Sequence, residues 1–319
     1  MKKNITYRQL NLISIMMFVT MSYAQQNSQF TQYMYNMSAL NPAYATAEEG
    51  QINFGGLYRA QWVGSVGGPQ TGTFFVHSPL IKNVEAGLSV VNDRIGDVVN
   101  ETNVFADFAY VLDLGKNKLS FGLKGGVTFY DTDFHNFQLV DPNPDPAFAN
   151  SVSRIFPNVG VGLFYFSDNY YLGMSAPNML ESKHLDRNDG IYTATGTENI
   201  HYYITGGYVF NLNGDKLKLK PAFMAKAVTG APISIDVTAN VLINNVFEIG
   251  VAHRIEDSFS GLVNFRVFQN MRIGYAYDHT ITNLSRFNSG SHEFILLFDL
   301  NKNKKKNTVP GYDKSPRFF

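Results

Sequence analysis

The 319-residue chain has no cysteine, which excludes disulfides, thiolate metal sites and a lipidated N-terminal cysteine. Charged residues are sparse at 16%, and tryptophan occurs once, an unusual balance for a soluble protein of this length. Lys+Arg 26 matches Asp+Glu 26 for a net charge of +0, so no general electrostatic attraction to nucleic acid exists. No run reaches the roughly 20 apolar residues that a transmembrane helix needs. A mean hydropathy of -0.13 likewise rules out a helical membrane bundle. Repeats of blade length and a glycine-rich phosphate loop ending in Lys-Ser or Lys-Thr are also missing.

What is present begins with a leader. Lys2, Lys3 and Arg8 flank an apolar run from Leu10 to Met21, and Ser22-Tyr23-Ala24 has the small residues of a cleavage site. Residues 1–24 are expected to be a signal peptide, with Gln25 first in the mature chain. Export then implies periplasm or outer membrane. Tyr 18, Phe 26 and Gly 27 are abundant.

The decisive pattern is alternation. Ile233, Ile235, Val237, Ala239, Val241 and Ile243 skip every second residue, with Ser234, Asp236, Thr238 and Asn240 between them. Val104, Ala106, Phe108, Tyr110 and Leu112 repeat the pattern, as do Leu119, Phe121, Leu123, Val127 and Phe129. One face in lipid and the other in a polar lumen produces this period of two. The spacing predicts an all-β fold, a transmembrane antiparallel barrel of about fourteen strands, an even number as bacterial barrels require. The expected starts run from Gln51 to His292 and include Asn103 and Pro157. Links such as Lys82-Asn83 and Asn244-Asn245 are short, whereas Gln61 to Pro69, Arg94 to Thr102, Asp131 to Phe156, Ala176 to Asn199 and Thr280 to Ser291 are longer. Short turns belong in the periplasm and long loops outside, which puts both mature termini in the periplasm. A secreted sandwich or propeller would also show short strands and turns, but it would not explain the alternation.

The chain divides into residues 25–50 as a plug or periplasmic segment, 51–300 as the barrel and 301–319 as a basic periplasmic tail. The first of these is aromatic and polar, and a short arm packed beneath the barrel is its plainer reading. On the expected strands, Arg254, Asp278 and Glu293 approach the outer mouth, and Glu248, Arg266, Arg272 and Asp299 lie near the periplasmic one. Paired charges suggest a filled interior, because isolated charges beside low-dielectric walls are costly. Ordinary pore-lining polarity is the alternative. Arg59, Gln61 and Trp62 open the first outer loop, where Trp62 fits an interfacial girdle, loop packing or a partner contact. Arg59 is expected to pair with Asp93. Lys302, Lys304, Lys305 and Lys306 form a run suited to periplasmic contacts or simply to solvent.

Catalytic sets are not found. His77 and Ser78 are adjacent on one strand and therefore point to opposite faces, and His292 has no serine placed beside it. Asp141-Pro142-Asn143-Pro144-Asp145-Pro146 superficially resembles a calcium loop, but Pro146 and Val152 stand where glycine and glutamate are needed. The expectation is a non-enzyme with no cofactor and no metal.

Several stretches, in order along the chain, resemble the PorP/SprF family of outer-membrane proteins associated with type IX secretion and gliding motility. They are Gln29-Phe30-Thr31-Gln32-Tyr33-Met34-Tyr35-Asn36 with Asn41-Pro42-Ala43-Tyr44, then Arg59 with Gln61-Trp62 and Gly64, and Asn92-Asp93-Arg94-Ile95-Gly96. Later come Leu119-Ser120-Phe121-Gly122-Leu123, Tyr171-Leu172-Gly173-Met174-Ser175, Ile273-Gly274-Tyr275-Ala276-Tyr277-Asp278 and Gly290-Ser291-His292-Glu293. The resemblance implies a role in exporting or retaining a cognate large secreted protein such as an adhesin, with periplasmic type IX machinery and outer-membrane lipid as further partners. It carries over no catalytic residue. A passive outer-membrane transporter for hydrophobic or small solutes is the rival reading.

Overall fold

A computed structural model describes residues 29–46, 51–133, 151–180, 182–183, 197–214 and 216–301. The expected signal peptide, the proline-rich 141–146 stretch and Lys304, Lys305 and Lys306 lie outside the described residues. A closed antiparallel barrel of fourteen strands dominates the chain. In order these are β1 (Gln51–Ala60), β2 (Gln70–Ile81), β3 (Val84–Ile95), β4 (Val99–Leu114), β5 (Asn117–Thr132), β6 (Val152–Phe166) and β7 (Tyr170–Ala176). They continue with β8 (His201–Tyr208, extended by Phe210–Asn211), β9 (Leu217–Val228), β10 (Ser234–Ile243), β11 (Phe247–Arg254), β12 (Ser258–Phe268), β13 (Met271–Thr280) and β14 (Ser291–Asn301). Each strand pairs with its sequence neighbour, and β1 pairs with β14 from Gln51↔Asn301 to Ala60↔His292. Closure of this kind leaves no sheet edge to be solvated in hydrocarbon.

Why these residues make this wall is visible in their exposure. On β10, Ile235 and Val237 are exposed, whereas Asp236, Thr238 and Asn240 are buried. On β4, Phe108 and Tyr110 are exposed while Asp107 and Ala109 are buried. Exposed apolar side chains thus face the membrane, and the buried polar set faces inward. Among the described residues no helix is long and apolar enough to cross a membrane.

The two rims differ. The terminal rim carries Gln51, Asn301 and the tight links; Asn83, Asn244 and Asn245 there have positive φ, a conformation asparagine tolerates. The opposite rim carries connections such as 61–69 and 281–290. Two strand starts fall earlier than the sequence suggested, at Val99 rather than Asn103 and at Val152 rather than Pro157. The expected long loop from Arg94 to Thr102 is instead a tight turn at 96–98, because polar strand ends continue the ladder past the apolar belt. There Asn92 donates to Asn100 (2.8 Å) and to Thr102 (2.9 Å).

Candidate functional site

Residues 29–46 lie inside the barrel. From Phe30 to Thr46 all are buried except the half-buried Ala39. The segment has no period-two pattern; it forms a 3-10 turn at Tyr33–Tyr35 and one helical turn, α1, at Met37–Leu40. Phe30, Tyr33, Met34 and Leu40 pack in one apolar cluster with Leu57, Phe75, Phe164 and Tyr203 of the wall. Burying each such aromatic or aliphatic side chain contributes about 1.5–3 kcal/mol.

Polar anchors complete the fit, and the wall residues that supply them come from far apart in sequence. Glu293 accepts the backbone N–H groups of Thr31 (2.9 Å) and Gln32 (2.7 Å). Arg59 bridges Glu293 (3.1 Å) and Asp278 (2.7 Å), and the Thr31 hydroxyl donates to Asp278 at 2.7 Å. Lower in the lumen, Glu248 is held by Lys220 (2.9 Å), Arg272 (3.4 Å) and Asn240 (2.9 Å), and it accepts the Tyr35 hydroxyl. Lys124 pairs with Asp107 at 2.7 Å and reaches the Ser38 carbonyl at 3.4 Å. At the terminal rim Glu85 accepts the Thr46 N–H at 2.7 Å. Such buried charges persist only where partners compensate their lost hydration, and here the partners include backbone of the luminal segment.

The other grip is steric. Asn41 donates to the Leu163 carbonyl (3.0 Å), and Ser175 donates to that of Leu40 (2.7 Å). A side chain at Gly122 would collide with the backbone of Ala43, and one at Gly162 with Asn41. Both glycines are paired neighbours on β5 and β6. They clear the space that residues 41–43 occupy.

The expected site residues sort as follows. Asp278 and Glu293 meet each other through Arg59, and Arg254 pairs with Asp236 (2.7 Å) and Asp257 (3.2 Å) while also interacting electrostatically with Asp278. Glu248 and Arg272 come together; Arg266 is half-buried on the neighbouring strand, opposite Arg272, and Asp299 accepts a hydrogen bond from Asn53. The expected Arg59–Asp93 pair does not form. Arg59, Thr71 and Asp93 sit in one register row on β1, β2 and β3, so a strand separates the two charges, and Asp93 accepts from Thr71 at 2.7 Å. Gln61 and Trp62 lie half-buried in the 61–69 connection. That loop is braced on 281–290 by the Val63 N–H to the Gly290 carbonyl (2.8 Å) and the Ser289 N–H to the Val63 carbonyl (2.7 Å). His77 approaches Glu85 at 3.4 Å inside the barrel, and His292 faces outward beside Tyr275.

Residues 31 and 46 of the segment lie near opposite rims. Asn301 is at the terminal rim, but Thr31 bonds to Asp278 and Glu293 near the opposite one, and Thr46 bonds to Glu85 near the terminal one. The segment therefore threads the barrel from rim to rim before entering β1. Lys220, Lys124, Glu85 and Gly162 stand outside the residues the sequence singles out, whereas Thr31 and Gly122 lie in the stretches that carry the family resemblance. Lys124 and Lys220 at inward parity were the available signal.

The profile of the type IX secretion system membrane protein PorP/SprF matches residues 22–298. The chain belongs to this family. Membership makes it an outer-membrane component of type IX secretion. The stretches that carried the resemblance converge in space: Thr31 and Gln32 of this PorP/SprF chain meet Arg59, Asp278 and Glu293, Asn41 reaches the Met174 carbonyl, and Pro42 and Ala43 lie against Gly122. None of the curated proteins compared matches the chain. Among solved structures, similarity extends to an Acinetobacter baumannii outer membrane protein, Omp33 (10% identity, TM-score 0.45, 80% of this chain and 100% of that one). A Pseudomonas aeruginosa FadL homologue (12%, 0.46, 83% and 94%) and the CymD monoaromatic hydrocarbon channel (10%, 0.47, 85% and 92%) are also similar.

Proposed function

We propose that this PorP/SprF protein is a plugged, non-enzymatic scaffold that supports export or surface attachment of a cognate large secreted protein, such as an adhesin. One observation carries the reading: residues 29–46 occupy the lumen from rim to rim and are bonded to the wall through buried charges. A barrel so occupied works through its rims rather than its bore. The longer connections, including the braced 61–69 and 281–290 pair, face the cell exterior and meet cargo there. The terminal rim and Lys304, Lys305 and Lys306 face the periplasmic type IX machinery.

Two assays on one strain separate this from passive transport. Liposomes containing the purified protein should swell no faster in small solutes than empty ones, and deleting the gene should strip one large secreted protein from the cell surface. Solute flux together with unchanged surface display contradicts the scaffold and favours a transporter.

A further inference from the structure

The lipid-facing wall is not uniform. Across β12 to β3 it carries a groove of ≈ 870 Å³, and its shape follows from two outward-facing glycines. Gly56 and Gly72 leave gaps between Tyr58, Phe74, Val90 and Leu296. A Cβ at Gly72 would meet nothing within 4 Å.

Register shows what lies above this groove. Gly72 pairs with Tyr58 and Asn92. The next outward row toward the long-connection rim runs through Tyr277, His292, Ala60, Gln70, Arg94 and Asn100. That row presents hydrogen-bond donors. Arg94 is exposed and makes no ion pair among the described residues. Tyr58 donates its hydroxyl to the Gln70 side-chain oxygen (3.0 Å), which leaves the Gln70 amide N–H₂ pointing away from that bond. The Tyr275 hydroxyl lies 2.7 Å from Nδ1 of His292; donated there, it leaves the imidazole proton on Nε2. From His292 to Arg94 the row spans three strand spacings, or about 14 Å. The nearest carboxylate in the row, Asp131, is two strands beyond Arg94.

A second groove of ≈ 740 Å³ on the β4 to β8 side provides the contrast. The outward row above it is Ala106, Gly125 and Val159, with no polar side chain. That groove suits any hydrocarbon chain. The first joins an acyl-sized apolar gap to a row that carries hydrogen-bond donors and one exposed cation, Arg94.

The geometry points to a site on the β1–β3 wall for a phosphorylated glycolipid of the outer leaflet, with an acyl chain over Gly56 and Gly72 and its phosphate on Arg94. Arginine presents a fork of donors matched to phosphate oxygens. The choice of a glycolipid over an inner-leaflet phospholipid rests on the proposed outward orientation of the long-connection rim.

The test uses the full chain in phosphatidylcholine nanodiscs, titrated with bisphosphorylated lipid A or with phosphatidylglycerol and read by native mass spectrometry. Lipid A should bind the wild type and bind Arg94→Gln about tenfold more weakly, the loss of one charge-assisted contact. Gly72→Leu should abolish retention by filling the gap, and Gly125→Leu, also outward with open space around it, should match the wild type. Heat-modified gel mobility verifies folding, and Arg94→Gln at an exposed position keeps the test decisive if Gly72→Leu misfolds. Equal retention in all variants, or phosphatidylglycerol bound as tightly, overturns the site. Orientation is read separately from a Val66→Cys variant, fully exposed in the 61–69 loop and the chain's sole thiol. Labelling of intact cells by an impermeant maleimide upholds the orientation, so that a failed titration then counts against the lipid site alone. Absence of labelling overturns the orientation and the glycolipid assignment with it.

Discussion

The two halves of the luminal segment are held by different physics. Thr31 to Tyr35 are gripped by charge, through Arg59, Asp278, Glu293 and the Glu248 cluster on β1 and β9 to β14. Residues 40–43 are gripped mainly by shape, in space cleared by Gly122 and Gly162 and closed by Ser175 and Asn41. A charge anchor tolerates small displacements but fails when one partner is lost, since the others remain buried. A steric seat has the opposite weakness, because one added methyl is felt at once.

The largest expected effect comes from breaking the first grip. Arg59→Met leaves Asp278 and Glu293 buried without their shared cation, and the unfolding free energy from urea titration should fall by about 3–5 kcal/mol. A reporter cysteine at Met34 should become reactive toward maleimide in this variant while one at Ala43 stays protected. Breaking the second grip reverses that pattern. Gly122→Val should cost about 1–3 kcal/mol by overpacking and release the Ala43 reporter while sparing Met34. If either substitution frees both reporters together, the halves are one cooperative unit and the distinction fails. A smaller effect belongs to Ser175→Ala, which removes a single hydrogen bond to the Leu40 carbonyl and should shift stability by about 1 kcal/mol, visible as a modest change in the same unfolding curve.

The same contrast explains what could be read in the sequence. Alternation at 104–112 and 233–243 reports a wall with one lipid face, so strand number, strand parity and the inward direction of Asp278, Glu293 and Glu248 were legible. Ends of strands were less so. Polar Asn100 to Thr102 looked like loop, and Pro157 looked like a strand start, yet both lie within ladders that extend beyond the apolar belt. Partners were legible only as groups at one height, such as Glu248 with Arg272 and Asp278 with Glu293. Which charges meet depends on register around a closed sheet, and the expected Arg59–Asp93 pair was lost because Thr71 stands between them. Residues 29–46 follow no repeat of two or 3.6, so pattern alone could not say whether they lay within the barrel or beneath it. Gly122 gave no warning either, since its role exists only against Ala43.

Peptide-resolved hydrogen exchange of the intact protein in detergent tests the central claim, occupation of the lumen by residues 29–46. The N–H groups of Thr31, Gln32 and Thr46 donate to buried carboxylates, so peptides covering them should exchange as slowly as the central strands. Exchange of those peptides within seconds, while the strands remain protected, would show an empty bore and contradict the account.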